Sequence, residues 1–195
     1  MQGLTSSEYV SVIFFALWLI WFCFEMFFSW IAPFGRSRGR ITFNDKGSTL
    51  LVIIGSIGCI TFMAYLSVRG VLMLPEWASY IGLLLFAAGM CFRFWAILTI
   101  GRYFSPIVGI YREHKLVTNG PYRYVRHPSY TGALAMLFGY GLILGSLIGS
   151  VVTLAVMFFV YIYRIKTEEA GLMKRFGKEY SRYAKGKSMI IPYLA

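Results

Sequence analysis

Two histidines and several tyrosines lie close together in an otherwise apolar chain. Residues 114–132 contain both histidines of the protein, His114 and His127, among turn-forming residues. The Asn-Gly-Pro run at 119–121 is a turn signal, and Pro128 favours an extended conformation at His127. We therefore expect a folded-back loop and not a helix. Its imidazoles, phenols and backbone groups can hold a polar small molecule by hydrogen bonding and stacking.

A second group of polar residues follows the last apolar run of the chain. Arg164 and Glu168 are four residues apart, which places both on one face of a helix. As a surface ion pair they would stabilise that helix by only about 0.2–0.5 kcal/mol. An arginine at a membrane boundary can also clamp an anionic group through two parallel hydrogen bonds. The spacing alone leaves both interpretations open.

The composition of the whole chain is that of an integral membrane protein. Of its 195 residues, 58% are hydrophobic and 14% are charged, far less charge than a soluble domain of this length carries. Crossing a bilayer takes about 20 apolar residues. We therefore predict one membrane-embedded domain without a large soluble part. The apolar runs of sufficient length are 9–34, 49–68, 77–100 and 133–163.

The last of these runs is too long for one crossing. A single helix over residues 133–163 would measure about 46 Å, against an apolar bilayer core of about 30 Å. Glycine and serine residues at 145–150 fall near its middle, so two short, tilted helices are expected. The predicted fold class is all-α, with five transmembrane helices of which the last two form a short hairpin. After Arg164, apolar and basic residues recur at helical spacing, which predicts a C-terminal amphipathic helix on the membrane surface.

We predict that residues 1–195 form a single domain. Its parts are three membrane helices (1–100), a cytoplasmic cofactor-binding loop (101–132), the helical hairpin (133–163) and a C-terminal cytoplasmic or interfacial segment (164–195).

The basic residues are distributed unevenly along the chain. The five-helix arrangement places three basic segments on one side of the membrane and leaves Arg69 alone on the other. Because basic loops face the cytoplasm, we expect a cytoplasmic loop and C-terminus and an external N-terminus. Anionic lipid headgroups then account for the net charge of +11, and no nucleic-acid partner is expected. The basic segments are 36–46, 102–126 and 164–187.

Two charged residues lie inside the apolar runs, Glu25 in the first and Arg93 in the third. An isolated charge at that depth is unfavourable, which predicts an interhelical Glu25–Arg93 pair, unless Arg93 snorkels to the headgroups. The cysteines also lie in apolar runs and show no CxxC spacing. We expect them to be small buried hydrophobes, and we predict no metal site. They are Cys23, Cys59 and Cys91.

Three elements of the sequence resemble the isoprenylcysteine carboxyl methyltransferase family. Residues 126–132 resemble its RHPxYxG motif, and residues 168–180, with a Glu-Glu pair followed by Phe-Gly and Glu-Tyr, resemble its EE…FGxxY tail. The elements occur in the family's order. The short chain looks like the compact five-helix form of the family, of prokaryotic or archaeal type. The RHPxYxG motif alone is also similar to motifs of phospholipid N-methyltransferases and NADPH-dependent sterol reductases.

The resemblance implies an S-adenosyl-L-methionine-dependent methyltransferase. Its implied substrate is the C-terminal carboxylate of an S-prenylated cysteine, on a protein or on a small molecule, at the membrane–cytosol boundary. The implied location is the cell membrane in a prokaryote and the endoplasmic reticulum in a eukaryote. Arg164 would face the substrate carboxylate, and Arg164 and Glu168 would form the catalytic pair. The implied cofactor-binding residues are His114, Lys115, Leu116, Val117, Tyr122, His127, Pro128, Ser129, Tyr130, Glu168 and Glu169.

The chemistry of methyl transfer separates the alternatives. An α-carboxylate, with an ordinary pKa of about 3.5, is ionised at neutral pH and needs no general base. The protein must instead align and desolvate the reactants. A lipid amine N-methyltransferase, the main alternative, must remove a proton and would need a base such as Glu169 or His127. An NADPH-dependent sterol reductase is a more distant alternative, and a non-catalytic membrane scaffold would make no use of Arg164 and Glu168.

Overall fold

The described part of the chain is mostly helical. The structure is a computed structural model, and it describes residues 6–31, 40–42, 45–105, 109–111 and 115–191. Its helices are α1 (Ser6–Met26, continued by a π-helix over Phe27–Ile31), α2 (Ser48–Val68), α3 (Trp77–Ile100), α4 (Pro128–Ile143), α5 (Leu147–Phe176) and α6 (Lys178–Ala184). The predicted second helix is confirmed to within one residue, and the predicted third helix has the observed bounds.

A short antiparallel ribbon accompanies the helices. Strands β1 (Arg40–Thr42) and β2 (Gly109–Tyr111) pair with Ile41 opposite Ile110. The all-α prediction describes the helical body correctly and misses this ribbon. The pairing joins the connection after α1 to the connection after α3, so it holds both at the same end of the bundle.

Four helices within the described residues are long and apolar enough to cross a membrane, judged by length and composition. Helix α4, with 16 residues, lies outside this group. A fifth crossing therefore stays a prediction. The four spans are Ser7–Ser29, Ser48–Val68, Trp77–Tyr103 and Leu147–Phe176.

Helix α4 begins earlier than the sequence indicated. Its first residue is Pro128, so the prediction of a non-helical loop up to residue 132 is wrong for residues 128–132. Proline suits the first position of a helix, where a backbone N–H would have no helical partner. His127 is outside the helix as expected, but with φ −129° and ψ 64° it does not have the extended conformation predicted there. The RHPxYxG-like motif therefore spans a loop-to-helix junction.

Helix α5 is longer than the predicted short hairpin allows. It runs for 30 residues, without a break at Arg164, and ends at Gly177, whose φ of +50° closes the helix. The amphipathic segment predicted after Arg164 is thus first a continuation of α5. Helix α6 then follows as a separate short helix. Hydropathy marks the apolar part of a helix, whereas backbone hydrogen bonding continues beyond it.

The long helices pack as a row in the order α1, α3, α4, α5, α2. The closest approach is between α3 and α4, where glycines face each other: a Cβ added at Gly82 would lie 2.6 Å from the carbonyl oxygen of Gly139, and one at Gly89 would lie 2.7 Å from that of Gly132. Small residues allow helix backbones to approach this closely in a membrane protein. Because α4 carries the RHPxYxG-like motif at its start, this contact fixes where the motif lies.

The two ends of the bundle differ in character. At the turn end, a tight turn joins α4 to α5: Gly145 has φ +69°, and the hydroxyl oxygen of Ser146 accepts a hydrogen bond from the Gly149 N–H at 3.2 Å. Ser67, near the end of α2, donates to the Leu144 carbonyl at this same end, at 2.8 Å. The other end, called the site end below, is formed by the start of α2, the end of α3, the start of α4 and α5 from Arg164 onward.

The predicted Glu25–Arg93 pair is confirmed. The Arg93 guanidinium donates from Nε to Glu25 Oε2 at 3.0 Å and from Nη2 to the other carboxylate oxygen. This pair joins α1 to α3. The prediction of buried cysteines holds for Cys59 and is wrong for Cys23 and Cys91, which lie on the outer surface of the bundle. A bilayer accepts such exposed apolar side chains, so an apolar run does not indicate which of its residues face inward.

Candidate functional site

The two polar groups singled out from the sequence meet at the site end. Helix α5 presents Tyr161, Arg164 and Glu168 on one face, and Tyr130 in the first turn of α4 packs against that face. The rings of Tyr130 and Tyr161 lie 4.8 Å apart between centroids. The side chains that meet here are called the Glu168 cluster below: Arg126, His127, Tyr130, Arg164, Glu168 and Glu169.

Glu168 is the point where the side chains of two helices converge. Its Oε1 accepts hydrogen bonds from the Tyr130 hydroxyl and, at 2.9 Å, from Arg164 Nε. Its Oε2 lies 3.6 Å from Nδ1 of His127. Tyr130 and Arg164 therefore fix the carboxylate through one oxygen, and the other oxygen is directed towards the loop.

His127 lies between two carboxylates. Its Nε2 is 3.0 Å from Glu169 Oε1, and its Nδ1 faces Glu168 on the other side. Arg126 binds the same Glu169 oxygen through Nη1 at 2.9 Å. The imidazole is 8% exposed, so its orientation is set by its surroundings. A histidine held in this way can position both glutamates or exchange a proton with them.

The C-terminal segment holds the loop in place by pairing with it. The backbone N–H groups of Arg126 and His127 donate to the carbonyls of Ser188 and Met189 at 3.0 and 2.9 Å. Thr131 extends this pairing with a side-chain hydrogen bond to the Ile190 carbonyl at 2.6 Å. These bonds satisfy backbone groups at the start of α4 that the helix itself cannot satisfy. The chain end thus fixes the motif from outside the helical bundle.

Sequence reasoning missed Asp45, which completes the surroundings of Arg164. Arg164 Nη1 donates to Asp45 Oδ1 at 2.8 Å, and to the hydroxyls of Ser48, at 2.9 Å, and Thr49. The arginine is only 3% exposed, and Asp45 and Glu168 both balance its charge. A buried guanidinium needs such partners. No sequence pattern near Asp45 indicates this role, because its partner Arg164 is 119 residues away in sequence.

The other predicted cofactor-binding residues lie around the cluster. Tyr122 is buried, with its hydroxyl 3.4 Å from the Ala96 carbonyl, and Pro128 is buried as well. Ser129 is half-buried and turns towards α3, where its hydroxyl and carbonyl oxygens accept hydrogen bonds from Arg93 Nη1 at 2.9 and 3.1 Å. Its contact is with an arginine that belongs to the intramembrane ion pair.

The segment that precedes the loop contains the predicted cofactor-binding residues 114–117. Lys115 is exposed, and Leu116 and Val117 are half-buried, all in chain without regular secondary structure that leads into the short 3-10 helix Gly120–Arg123. His114 lies outside the described residues, so its predicted role stays a prediction. The contacts described above unite His127, Tyr130, Arg164, Glu168 and Glu169 and do not extend to residues 115–117.

Phenols near the glutamates are held neutral. Burial, and then the charge of Glu168, raise the pKa of Tyr122, and burial with the charge of Glu169 raises the pKa of Tyr180. Burial also raises the pKa of Tyr183 to about 12. These side chains are therefore hydrogen-bond donors at neutral pH. Tyr180, at 3% exposure, is a residue whose place beside Glu169 was not predicted.

Two buried donor atoms near Glu169 have no hydrogen-bond partner within the part of the chain that the structure describes. They are Arg126 Nε and the Tyr180 hydroxyl, which faces Glu169 without forming a hydrogen bond of normal geometry. Buried polar atoms are rarely left without partners. Together with the second oxygen of Glu168, they give the cluster capacity to bind a polar ligand that carries both hydrogen-bond donors and acceptors.

Comparisons with known proteins agree on one family. The sequence model of the isoprenylcysteine carboxyl methyltransferase (ICMT) family matches residues 80–174, which include the RHPxYxG-like motif and the Glu168–Glu169 pair. A probable protein-S-isoprenylcysteine O-methyltransferase from Oryza sativa subsp. indica is 31% identical over 158 residues, covering 77% of this chain and 83% of the relative. The protein-S-isoprenylcysteine O-methyltransferase of Schizosaccharomyces pombe is 32% identical over 165 residues, covering 77% and 69%.

A solved structure has a similar fold. It is the eukaryotic intramembrane Ras methyltransferase ICMT, with a TM-score of 0.58 and 28% sequence identity. The match covers 78% of this chain and spans about half, 55%, of that chain. The rice relative is matched over most of its length at more than 30% identity, and the RHPxYxG-like motif and the Glu168–Glu169 pair lie within the family match. The chain therefore belongs to the isoprenylcysteine carboxyl methyltransferase family.

Proposed function

We propose that this chain uses S-adenosyl-L-methionine to methyl-esterify the C-terminal carboxylate of an S-prenylated cysteine. The observation that carries the proposal is the Glu168 cluster, in which Tyr130, from the RHPxYxG-like motif, and Arg164 hold the first glutamate of the Glu-Glu motif. The family model matches the segment in which those residues lie, and relatives of this chain are named for this reaction. The protein or small molecule that carries the prenylcysteine is left open.

The cluster fits the chemistry of the cofactor. S-adenosyl-L-methionine supplies an activated methyl group on a cationic sulfur, and it carries an ammonium, a carboxylate and ribose hydroxyls. Glu168 and Glu169 provide acceptor oxygens for its donors. The buried donors of Tyr180 and Arg126 that have no protein partner in the described chain suit its acceptors. Aromatic side chains at 122 and 130 add apolar walls.

Arg164 is suited to orient an anionic nucleophile without holding it tightly. Its charge is already shared by Asp45 and Glu168, so the attraction left for a third carboxylate is moderate. A strongly paired carboxylate would be a poor nucleophile, whereas a loosely oriented one keeps its reactivity. The main contribution of these residues would then be alignment in a site with little water.

The helices explain how a prenylated substrate would reach the cluster. Spans of this length and composition are expected to lie in a bilayer, where a prenyl chain also partitions. The Glu168 cluster lies at the end of the bundle where α5 passes from apolar to charged residues. We infer that this end faces the cytosol, in the cell membrane of a prokaryote or the endoplasmic reticulum of a eukaryote, because the basic loops belong to it.

A methyl-transfer assay with two substrate classes tests this proposal. Purified protein in lipid nanodiscs is given methyl-labelled S-adenosyl-L-methionine with either an N-acylated S-farnesylcysteine or a phospholipid amine. Alkali releases a methyl ester as methanol but leaves an N-methyl group in place. We expect alkali-labile label on the farnesylcysteine, strongly reduced by Glu168→Gln at subsaturating cofactor and retained by Glu76→Gln, which removes an exposed carboxylate at the turn end. Alkali-stable label on the phospholipid alone would overturn the proposal.

Lipid amine N-methylation is a second candidate because of one observation. His127 lies 3.0 Å from Glu169, a pair that could accept the proton which an ammonium must lose before methylation. That reaction would slow steeply as the pH falls below neutrality. Esterification would keep its rate until much nearer the pKa of the carboxyl group, so the pH profile of the active substrate class separates the two.

A further inference from the structure

The turn before α2 is built around one carboxylate. Gly47, at the position before the helix, is in the left-handed conformation with φ +73° and has no side chain to cap the helix. Asp45 takes over this role: its Oδ2 accepts from the Thr49 N–H at 2.9 Å, and its Oδ1 accepts from the Ser48 hydroxyl at 2.6 Å. A side-chain acceptor at this place satisfies N–H groups that the helix leaves open.

The same carboxylate reaches across to α5. Asp45 Oδ1 also accepts from Arg164 Nη1 at 2.8 Å, and Tyr163 next to it donates from its hydroxyl to the Lys46 carbonyl at 3.0 Å. The turn is thereby attached to α5 at two neighbouring residues. A helix cap by itself needs no charge: α5 is capped by the neutral Ser146 hydroxyl. The charge of Asp45 matches a second task, which is the balance of the buried guanidinium.

We propose that Asp45 is a positioning residue of the methyl-transfer site: it fixes the Nη1 side of the Arg164 guanidinium, while Glu168 fixes the Nε side. This inference rests on the proposed function for its kinetic consequences. With both sides held, Arg164 has one orientation relative to α2, α4 and α5. The sequence places Asp45 in a basic loop, where it would otherwise be an ordinary surface charge.

Because Asp45 and Glu168 hold different sides of the guanidinium, neutralising Asp45 should affect cofactor binding and substrate orientation differently. The contact between Arg164 Nε and Glu168 lies within α5 and is supported by Tyr130, so it persists when Asp45 is neutralised. Cofactor affinity, which is assigned to Glu168, should therefore stay close to that of the wild type. The orientation of Arg164 towards the substrate carboxylate should be lost, because the hydroxyls of Ser48 and Thr49 that still contact Nη1 carry no charge.

Asp45→Asn is the decisive variant, because asparagine keeps the capping oxygen and removes the charge. We expect kcat/KM for the farnesylcysteine substrate to fall by about 10- to 100-fold, as for a small misplacement of a catalytic group. Cofactor affinity in a calorimetric titration should change little, and the protein should stay folded at neutral pH with an unfolding midpoint moderately below that of the wild type. Glu76→Gln, an equivalent loss of charge before α3 at the turn end, should leave all three quantities unchanged.

Moving the negative charge from position 45 to position 49 distinguishes the positioning of Arg164 from the capping of α2. Thr49 lies in the first turn of α2 with its hydroxyl against Arg164 Nη1, a place where aspartate is also compatible with the helix dipole. Adding Thr49→Asp to Asp45→Asn should restore a large part of kcat/KM. An Asp45→Asn protein with wild-type kcat/KM would overturn the inference, and so would a loss that the added aspartate does not restore.

A spectroscopic readout decides the point without any substrate. The guanidinium N–H resonances of Arg164, assigned by their disappearance in Arg164→Lys, should be resolved and slow to exchange in the wild type. Asp45→Asn should broaden the Nη1 signals and retain the Nε signal. Unchanged Nη1 signals in that variant would reject the positioning role. If the wild type methylates no prenylcysteine, the proposed function fails, and this spectrum still tests whether Asp45 fixes Arg164.

Discussion

Arg164 owes its place to side chains from three segments of the chain. Asp45 comes from the turn before α2, Tyr130 from α4, and Glu168 from the next turn of α5. Removing the guanidinium would leave two carboxylates close together and partly buried, which is destabilising. A truncation at this position would therefore mix the effects of misfolding with those of chemistry, and the exchange to lysine is the sharper test.

Arg164→Lys keeps the positive charge and removes the planar fork that spans Asp45 and Glu168. We expect kcat to fall by about tenfold or more, the equivalent of one charge-assisted hydrogen bond, with cofactor affinity nearly unchanged. Steady-state kinetics and a cofactor titration measure both. Lys166→Arg, the reverse exchange at an exposed position of α5, is the control. An unchanged kcat in Arg164→Lys would reject the role assigned to Arg164.

The pKa of Asp45 predicts how the stability of the protein depends on pH. Although burial opposes ionisation, the hydrogen bonds from Ser48 and Thr49 and the charge of Arg164 lower the pKa below its ordinary value of 3.8. A carboxyl with a lowered folded-state pKa contributes stability above its unfolded pKa and loses that contribution as the pH falls through the folded value. Wild type should therefore be more stable than Asp45→Asn near neutral pH.

Thermal unfolding of both proteins across the acid range measures this dependence. The difference in unfolding midpoint should begin to shrink below about pH 4 and vanish once Asp45 is protonated in the folded state. Glu76→Gln should follow the wild-type curve throughout. A difference that is independent of pH would show that the charge of Asp45 does not stabilise the fold.

The predictions for individual residues succeeded where two partners lie close in sequence, or where a charged residue inside the membrane needs a partner of opposite charge. The contact between Arg164 and Glu168 follows from helical spacing, and the Glu25–Arg93 pair follows from the cost of an isolated charge in a membrane. Asp45 could not be found in this way, because the fold alone brings it to Arg164. The roles of the cluster in binding and catalysis stay predictions.

At the level of helices, the contact between α3 and α4 determines the position of the RHPxYxG-like motif in space. Gly82 and Gly89 on α3 face Gly139 and Gly132 on the antiparallel α4, so the two backbones touch at points one heptad apart. The Gly132 contact lies beside Arg93, close to the start of α4. A change in the distance between these helices would therefore move the first turn of α4, and with it Tyr130.

Gly89→Ala should push α3 and α4 apart. The added Cβ would lie 2.7 Å from the Gly132 carbonyl oxygen and 2.9 Å from the Met136 nitrogen, both of them backbone atoms that cannot move aside. We expect a loss of about 1–3 kcal/mol in the free energy of unfolding, as for overpacking elsewhere. Gly58→Ala in α2 is the matched control, since a Cβ there meets no atom within 4 Å. Equal stability of the two variants would contradict the close approach.

The sequence predicted the apolar parts of the helices better than their ends. The bounds of α2 and α3 agree with the apolar runs because charged or turn residues flank both. Helix α4 starts earlier because Pro128 begins a helix as readily as it belongs to a loop. Helix α5 extends past its apolar run because a helix that leaves the bilayer keeps its hydrogen bonds, and composition marks only the part inside.

For the whole molecule, the order of the helices brings distant loops to one end. The start of α2, the end of α3 and the start of α4 lie near the charged part of α5, whereas the tight turn between α4 and α5 lies at the other end. The two polar groups singled out from the sequence, the loop and the Arg/Glu helix face, therefore lie at the same end. The asymmetry in basic residues further predicts which end faces the cytosol.

Cysteine labelling tests that orientation. In a background with Cys23, Cys59 and Cys91 changed to alanine, a single cysteine is placed at an exposed residue of either end, by Lys178→Cys or Glu76→Cys. We expect a membrane-impermeant maleimide to label Glu76→Cys in intact bacterial cells and Lys178→Cys only after the cells are permeabilised. Labelling of Lys178→Cys from outside would place the site end on the external face.

The central claim is that the Glu168 cluster binds S-adenosyl-L-methionine. Calorimetric titration of the purified protein, compared with Glu168→Gln, tests this most directly. We predict saturable binding by the wild type, and weakening by about 1–3 kcal/mol in the variant, where an amide N–H₂ group replaces one acceptor oxygen. Absence of binding to the wild type, or equal affinity of the two proteins, would contradict the claim.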